Sequence, residues 1–364
     1  MTTGRTTGSG SNVNGSPPRL NLAVAGLGYW GPNRLRVLSD MPDVDVGRIC
    51  DIDPARVARY QRRYPATASS NEFEAVLADD SVDGVLIATP VFTHANLVSR
   101  ALQAGKHVFV EKPLAASSGE ARFLVQLAGE HDRVLMCGHT FLYSPPVRAI
   151  KRILEAGELG ELHYISSSRV NLGPYRSDVS VVFDLGPHDF SILRYWLDSL
   201  PHTVSAMGRD VISTGVADFA FVNATFEDGL VANMELSWLA PSKLRRTVLV
   251  GSEKMAVYED NSPEPVRIYD SGIEYRDPET YGEYHLAYRT GDIVSPRVDT
   301  SEPIALELED FVGAIRGEVD ELPDPGIAVD VICMVEATEA SMADGGRAVP
   351  VAAHGAGVER EAWS

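Results

Sequence analysis

The chain has 364 residues, 44% of them hydrophobic, and a formal charge of −19 at pH 7. That length exceeds what one core usually organises, so two domains are expected, and the acidic balance disfavours nucleic acid and anionic membrane surfaces as partners. No apolar run approaches the ~18 residues of a membrane span, and Cys50, Cys137 and Cys333 are an odd, scattered set, which points to reduced core thiols and a cytoplasmic setting instead of disulfides or a metal site.

In chain order, residues 1–18 are rich in Gly, Ser, Thr and Asn without the apolar segment of a secretory signal, so a disordered leader is expected. Leu20–Ala25 reads as a buried strand, and Gly26-Leu27-Gly28-Tyr29-Trp30-Gly31 follows without a gap. Glycines at a strand-to-helix junction are the setting of a dinucleotide fingerprint. Gly26 permits the tight turn, Gly28 the approach of a pyrophosphate, and Gly31 close packing of helix on strand. Tyr29 and Trp30, inside the turn, count with the cofactor-binding residues. The helix N-terminus adds free N–H groups and a positive dipole end. Val44–Cys50 forms a second strand leading to Asp51, where a carboxylate can accept from ribose hydroxyls and would repel a 2′-phosphate. NAD is therefore expected in preference to NADP, with Asp53 left to cap the helix that opens at Pro54. A purely structural glycine turn is the alternative.

From 54 to 140 helix and strand alternate, the mark of parallel βαβ units. Helices are expected over 54–64, 71–79, 94–104 and 118–130, and strands over 82–88, 106–110 and 134–137. The pattern predicts an α/β architecture: a Rossmann domain with a doubly wound parallel sheet over 19–140, its ligands at the carboxyl ends of the strands. After His139 the rhythm changes. A helix over 146–156, a strand over 162–170, an irregular loop and a helix over 185–197 precede successive strands from 203 to 260, with hairpin turns at 227–229 and 251–253. Residues 261–303 read as turn-rich, and helices over 304–316 and 327–342 lead to a short strand near Val349. Residues 141–364 are thus expected to form an α+β domain on an antiparallel sheet.

Nicotinamide chemistry on an alcohol needs one group to take the hydroxyl proton and another to hold charge on the oxygen. Lys112 stands at a strand's carboxyl end, on the sheet edge of the glycine turn, with Pro113 restricting its backbone. A solvated lysine paired with Glu111 is the alternative. In Phe183-Asp184-Leu185-Gly186-Pro187-His188, taking Asp184 as N-cap puts Pro187 in the first turn and places Asp184 and His188 on one helical face. Such a carboxylate can orient the imidazole and support its charged form, as for a histidine general base. A capping Asp beside a half-buried His is the equal alternative. The loop from Arg169 to Arg176 joins two guanidiniums suited to phosphate oxygens, unless these are ordinary surface arginines.

Across residues 20–350 these features resemble the Gfo/Idh/MocA family of glucose-fructose oxidoreductase and inositol dehydrogenase. Gly26–Gly31 looks like its dinucleotide turn, Ala88-Thr89-Pro90-Val91-Phe92-Thr93-His94 like its ATPxxxH cofactor segment, Glu111-Lys112-Pro113 like its EKP signature, and Asp184-Leu185-Gly186-Pro187-His188 like its DxxxH site. The resemblance implies a second domain with an open, mostly antiparallel sheet that mediates homodimers or homotetramers, and bound NAD(P). It also implies Lys112, Asp184 and His188 as active-site residues, His188 the acid/base and Lys112 polarising the oxygen, with Thr89, Pro90, His94 and Glu111 at the cofactor and a cis Lys-Pro bond as in many members. Gly-Tyr-Trp-Gly-Pro-Asn at 28–33, Asn-Leu-Gly-Pro at 171–174 and Tyr288-Arg289-Thr290-Gly291-Asp292 look like the branch that oxidises the 3-hydroxyl of nucleotide-linked sugars such as UDP-N-acetylglucosamine or its uronate. Arg169, Asn171 and Arg176 would then face the substrate. Sibling enzymes reduce 3-keto deoxysugars in antibiotic pathways, which is the second reading; a non-catalytic cofactor sensor is the third.

Overall fold

The computed structural model describes residues 18–173, 175–176, 178–212, 215–275, 286–319 and 325–353. The expected leader, up to residue 17, and Pro174 of the Asn-Leu-Gly-Pro segment lie outside them. Six strands open the chain: β1 (Leu20–Ala25), β2 (Val44–Cys50), β3 (Ala68–Ser70), β4 (Gly84–Ile87), β5 (His107–Glu111) and β6 (Leu135–Gly138). They form one wholly parallel sheet in the order β3-β2-β1-β4-β5-β6. Leu22, Val24, Val85, Leu86, Val108 and Val110 are all fully buried, as strands covered on both faces must be. The covering helices are α1 (Gly31–Asp40), α2 (Pro54–Arg63), the single turn α3 (Glu74–Leu77), α4 (His94–Gln103) and α5 (Ser118–Glu130). Asp53 caps α2 by accepting from the Ala55 N–H, with Pro54 in the first turn.

The remainder runs α6 (Pro145–Glu155), β7 (Leu162–Leu172), α7 (Val181–Leu197), β8 (Thr203–Arg209), β9 (Phe219–Thr225), β10 (Val231–Ser237), β11 (Leu239–Gly251), β12 (Met255–Glu259), β13 (Val266–Tyr275), β14 (Leu286–Val294), α8 (Pro303–Arg316), α9 (Pro325–Ala343) and β15 (Val349–Pro350). Among the described residues its strands order as β14-β13-β12-β11-β7-β10-β9-β8-β15, antiparallel except where β7 meets β10. β13 and β14 occupy a stretch read as turns. The register of β13 shifts between Tyr269 and Ser271, and this irregularity breaks the alternation by which a strand is recognised.

Two further departures bear on the site. α7 begins at Val181, one turn earlier than expected, because Ser180 is its N-cap, accepting from the Phe183 N–H at 3.1 Å, and Val181 and Val182 are apolar and fully buried. Asp184 is therefore not the cap, and Pro187 lies inside the helix. Secondly, α9 returns to the first sheet, where Ala328, Val329, Ile332 and Cys333 join the core beneath α5. Residues past 141 thus complete the core of the parallel-sheet layer.

Candidate active site

A cleft of about 700 Å³ opens at the carboxyl ends of the parallel strands. Gly26, with φ +93°, starts the turn at its floor, and a Cβ on Gly31 would fall 1.8 Å from the Gly26 carbonyl oxygen. The strand and helix thus meet backbone to backbone, as the fingerprint requires. Gly28, Tyr29 and Trp30 line the rim, the two rings edge to face at 5.3 Å and exposed by 82% and 43%.

Asp51 is buried at the end of β2. Its Oδ2 accepts from the Leu27 N–H at 2.6 Å and its Oδ1 from the Asp53 N–H at 2.8 Å. The carboxylate therefore clamps the glycine turn to the second strand while it faces the cleft. Arg56 stands 3.6 Å from Asp51 and 3.4 Å from Asp53, paired with both.

Thr89 and Pro90 line the opposite wall, where Thr93 Oγ1 donates to the Pro90 carbonyl at 2.7 Å and lies 2.7 Å from Thr89 Oγ1. His94, expected to contact cofactor, is among the residues lining the cleft and is also a brace. It is 1% exposed, and its ring nitrogens lie 2.9 Å from the carbonyls of Pro113 and Thr89, tying the loops after β4 and β5 together. Desolvation lowers its pKa against the pull of these carbonyls. Glu111, also in the cleft lining, accepts through Oε1 from Arg34 Nε at 2.8 Å.

Lys112 follows Glu111 at the end of β5, and the Lys112–Pro113 peptide is cis. Nζ donates to the Asp184 carbonyl at 2.8 Å and lies 3.8 Å from Asp184 Oδ1. Desolvation depresses the ammonium's pKa, although Asp184 and Glu111 pull the other way. A lysine so placed gives up its proton at a lower pH than one in water.

Asp184 gathers donors from three directions. Trp238 Nε1 donates to Oδ2 at 3.3 Å, and Oδ1 faces Arg176 Nη1 at 3.6 Å as well as Lys112. The expected pairing of Asp184 with His188 does not form, since those donors take the carboxylate. His188 packs edge-on against Phe141 with centroids 5.0 Å apart. Burial first, then Lys112, Arg169 and Arg245, hold its pKa well below the ordinary value, so the ring is neutral instead of charged.

Of the three predicted substrate contacts, Arg169 is corrected. It is 3% exposed, bonded through Nε to Asp189, and stacked 4.6 Å over Phe141, so it lies under the site and not in the cleft. Asn171 is half-buried near the end of β7, its amide against Gly173. Arg176 does line the cleft, paired with Asp178 and Asp184. Sequence reasoning missed Trp238, Phe141 and Arg245. The last lies directly across the β7–β11 ladder from Arg169, a proximity with no local signal. Among the described residues no group of His, Cys, Asp and Glu is arranged to hold a metal ion, and no helix is long and apolar enough to cross a membrane.

A parallel sheet with a glycine turn and an acid-clamped second strand defines a dinucleotide-binding protein. Residues 20–139 match the model of an oxidoreductase family with an NAD-binding Rossmann fold, and 147–257 match the GFO/IDH/MocA C-terminal domain, together more than half of the chain. The chain belongs to the Gfo/Idh/MocA family, and is an NAD-binding enzyme. It is 27% identical over 270 residues to the uncharacterized oxidoreductase YrbE of Bacillus subtilis, spanning 71% of this chain and 79% of that one. It is 22% identical over 338 residues to inositol 2-dehydrogenase of Rhizobium meliloti, spanning 89% and 97%. GenD2 from gentamicin A biosynthesis, solved in complex with NAD, superimposes with a TM-score of 0.79 at 26% identity, covering 96% of this chain and all of that one.

Proposed function

We propose that the enzyme moves a hydride between NAD and a ring hydroxyl of a sugar, the 3-hydroxyl of a nucleotide-linked sugar such as UDP-N-acetylglucosamine or its uronate. The observation that carries this reading is the bond from Lys112 at the end of β5 to Asp184 on α7, which puts an amine beside the dinucleotide cleft. When bound, NAD supplies the hydride acceptor. Gly26, Gly28 and Asp51 hold it, with Tyr29 and Trp30 at the rim, and Arg56 balances the acid. Lys112 polarises the sugar oxygen, and His188, neutral, accepts its proton. Asp184 keeps Lys112 and Arg176 in place, and Arg176 offers a guanidinium to phosphate or carboxylate oxygens.

A second reading, reduction of a 3-keto sugar in antibiotic assembly, is supported by the likeness to GenD2; the same two groups serve both directions. Phe221, Met207 and Tyr288, all exposed on strands of the open sheet, support self-association as a dimer or tetramer. The test is a panel of nucleotide sugars and free sugars scored for NAD reduction by absorbance, with the product ketone located by NMR. Oxidation of a nucleotide sugar at C3 supports the first reading; turnover confined to 3-keto sugars with NADH supports the second.

A further inference from the structure

Arg34 lies on α1, the helix opened by the glycine turn, yet is only 1% exposed. Besides the Nε bond to Glu111, Nη1 donates to Glu307 Oε2 at 2.6 Å and Nη2 to Thr140 Oγ1 at 3.1 Å. Thr140 in turn donates to Glu307 Oε2 at 2.8 Å, and the guanidinium sits 4.6 Å from the centre of the Phe109 ring. A buried guanidinium is tolerated where its donors are matched. Here the acceptors come from three separate segments: the end of β5, the 3-10 turn after β6, and α8.

What those acceptors adjoin gives the arrangement its meaning. Glu111 directly precedes Lys112. Thr140 directly precedes Phe141, whose ring lies edge to face with His188 and under the Arg169 guanidinium. Resting on the roles given above to Lys112 and His188, we propose that Arg34 is a positioning residue that sets the relation between them. It holds Glu111 in place beside Lys112, and it holds Thr140, hence the ring against which His188 packs. The helix that faces the cofactor is thereby joined to both reacting side chains through one buried cation.

The charge balance agrees with this arrangement. Arg34 is paired with both Glu111 and Glu307; burial pushes Glu307 up to about 7, and among the described residues its Oε1 has no partner. Lys112 is faced by Asp184 and Glu111 as anions, by Arg176 and Arg169 as cations, and by the uncharged His139, His188 and Cys137. Removing Arg34 leaves the charge of Glu111 uncompensated, which favours the ammonium form of Lys112.

The test uses the full chain loaded with NAD and no substrate. Trace labelling with acetic anhydride across a range of pH, read at the Lys112 peptide by mass spectrometry, reports the pKa of that lysine. Arg34→Met is expected to raise it by about a unit, and Arg34→Lys by less, while NAD affinity changes by no more than about threefold. Thr140→Val, which removes one anchor and no charge, is expected to move the His188 ring signal in NMR of histidine-labelled protein. Arg34→Lys and Thr140→Val serve where Arg34→Met does not fold. Wild-type Lys112 labelling in the arginine variants with an unmoved His188 signal in Thr140→Val overturns the proposal. So does a loss of NAD binding in step with a loss of stability and no change at either side chain, the mark of a merely structural residue. Because no sugar is present, these outcomes are independent of whether Lys112 and His188 support turnover.

Discussion

Lys112 Nζ donates to the main-chain carbonyl of Asp184 at 2.8 Å, joining residues 72 apart in the chain. The partner is a carbonyl of a helix whose interior proline removes one N–H from the ladder. The bond therefore depends on how α7 sits against the parallel sheet and not on the aspartate side chain. Asp184→Asn should keep the lysine in place while removing a negative charge beside it. Its pKa should fall further, read by the same acetic anhydride labelling; a rise would contradict the placement.

The glycine turn leaves little freedom. A Cβ on Gly31 would meet the Gly26 carbonyl oxygen at 1.8 Å, backbone that has no room to withdraw. Gly31→Ala is expected to weaken NAD binding by more than about 100-fold or to prevent folding. Gly129→Ala near the end of α5, where an added Cβ meets nothing within 4 Å, is expected to stabilise by up to about 1 kcal/mol. Fluorescence titration with NADH and thermal melts check the pair.

Asp51 serves the fold and the cofactor at once, since it accepts from the N–H groups of Leu27 and Asp53. Asp51→Ala leaves two donors without their acceptor, at about 1–3 kcal/mol each where they stay buried. It also removes the charge that repels a 2′-phosphate. NAD affinity should fall at least tenfold, roughly 1.4 kcal/mol, and the NAD-to-NADP affinity ratio should fall with it. Calorimetric titration with both cofactors is the check.

Two arginine–aspartate pairs should behave differently although the sequence suggests one role, facing the substrate, for both arginines. Arg169 and Asp189 are 3% and 5% exposed in their side chains, against 40% and 48% for Arg176 and Asp178. Asp189→Ala strands a buried guanidinium and should cost about 3–5 kcal/mol in urea unfolding. Asp178→Ala should cost under about 1 kcal/mol.

His139 is 5% exposed, neither of its ring nitrogens has a hydrogen-bond partner among the described residues, and burial lowers its pKa to about 4. The unfolded chain binds this proton near the ordinary pKa of ~6.5 and the folded one does not until about pH 4, so its contribution is present above ~6.5 and is lost as pH falls. The loss amounts to about 3 kcal/mol. Glu307 has the opposite sign. Its folded value of about 7 exceeds the unfolded ~4.5, so stability declines as pH rises through that window. Urea unfolding across this range should find a shallower acid slope in His139→Leu and a steeper one in Glu307→Gln.

Much of the parallel layer is legible in the chain because its central strands are buried on both faces and carry short unbroken apolar runs, at 22–25, 85–87 and 108–110. The glycine turn and Asp51 are legible because their spacing along the chain is the signal. The second half is harder. Residues 181 and 182 belong to α7 through tertiary burial, and Ser180 is as ordinary a loop residue as it is a cap, so the helix start was misplaced and with it the supposed Asp184–His188 pair. Residue type also says nothing of exposure, which is why Arg169 looked like a ligand contact and is an internal brace. Trp238, Phe141 and Arg34 carry no local pattern. Trp238 reaches Asp184 across 54 residues, and Arg34 reaches Glu307 across 273.

The central claim is that Lys112 and His188 act on one sugar oxygen. Steady-state rates of NAD reduction with the sugar that the panel identifies, in wild type, Lys112→Ala and His188→Ala, test it most directly. Each variant is expected to bind NAD and to lose kcat by about 100- to 10,000-fold; turnover within a few-fold of wild type in either folded, NAD-binding variant would contradict it.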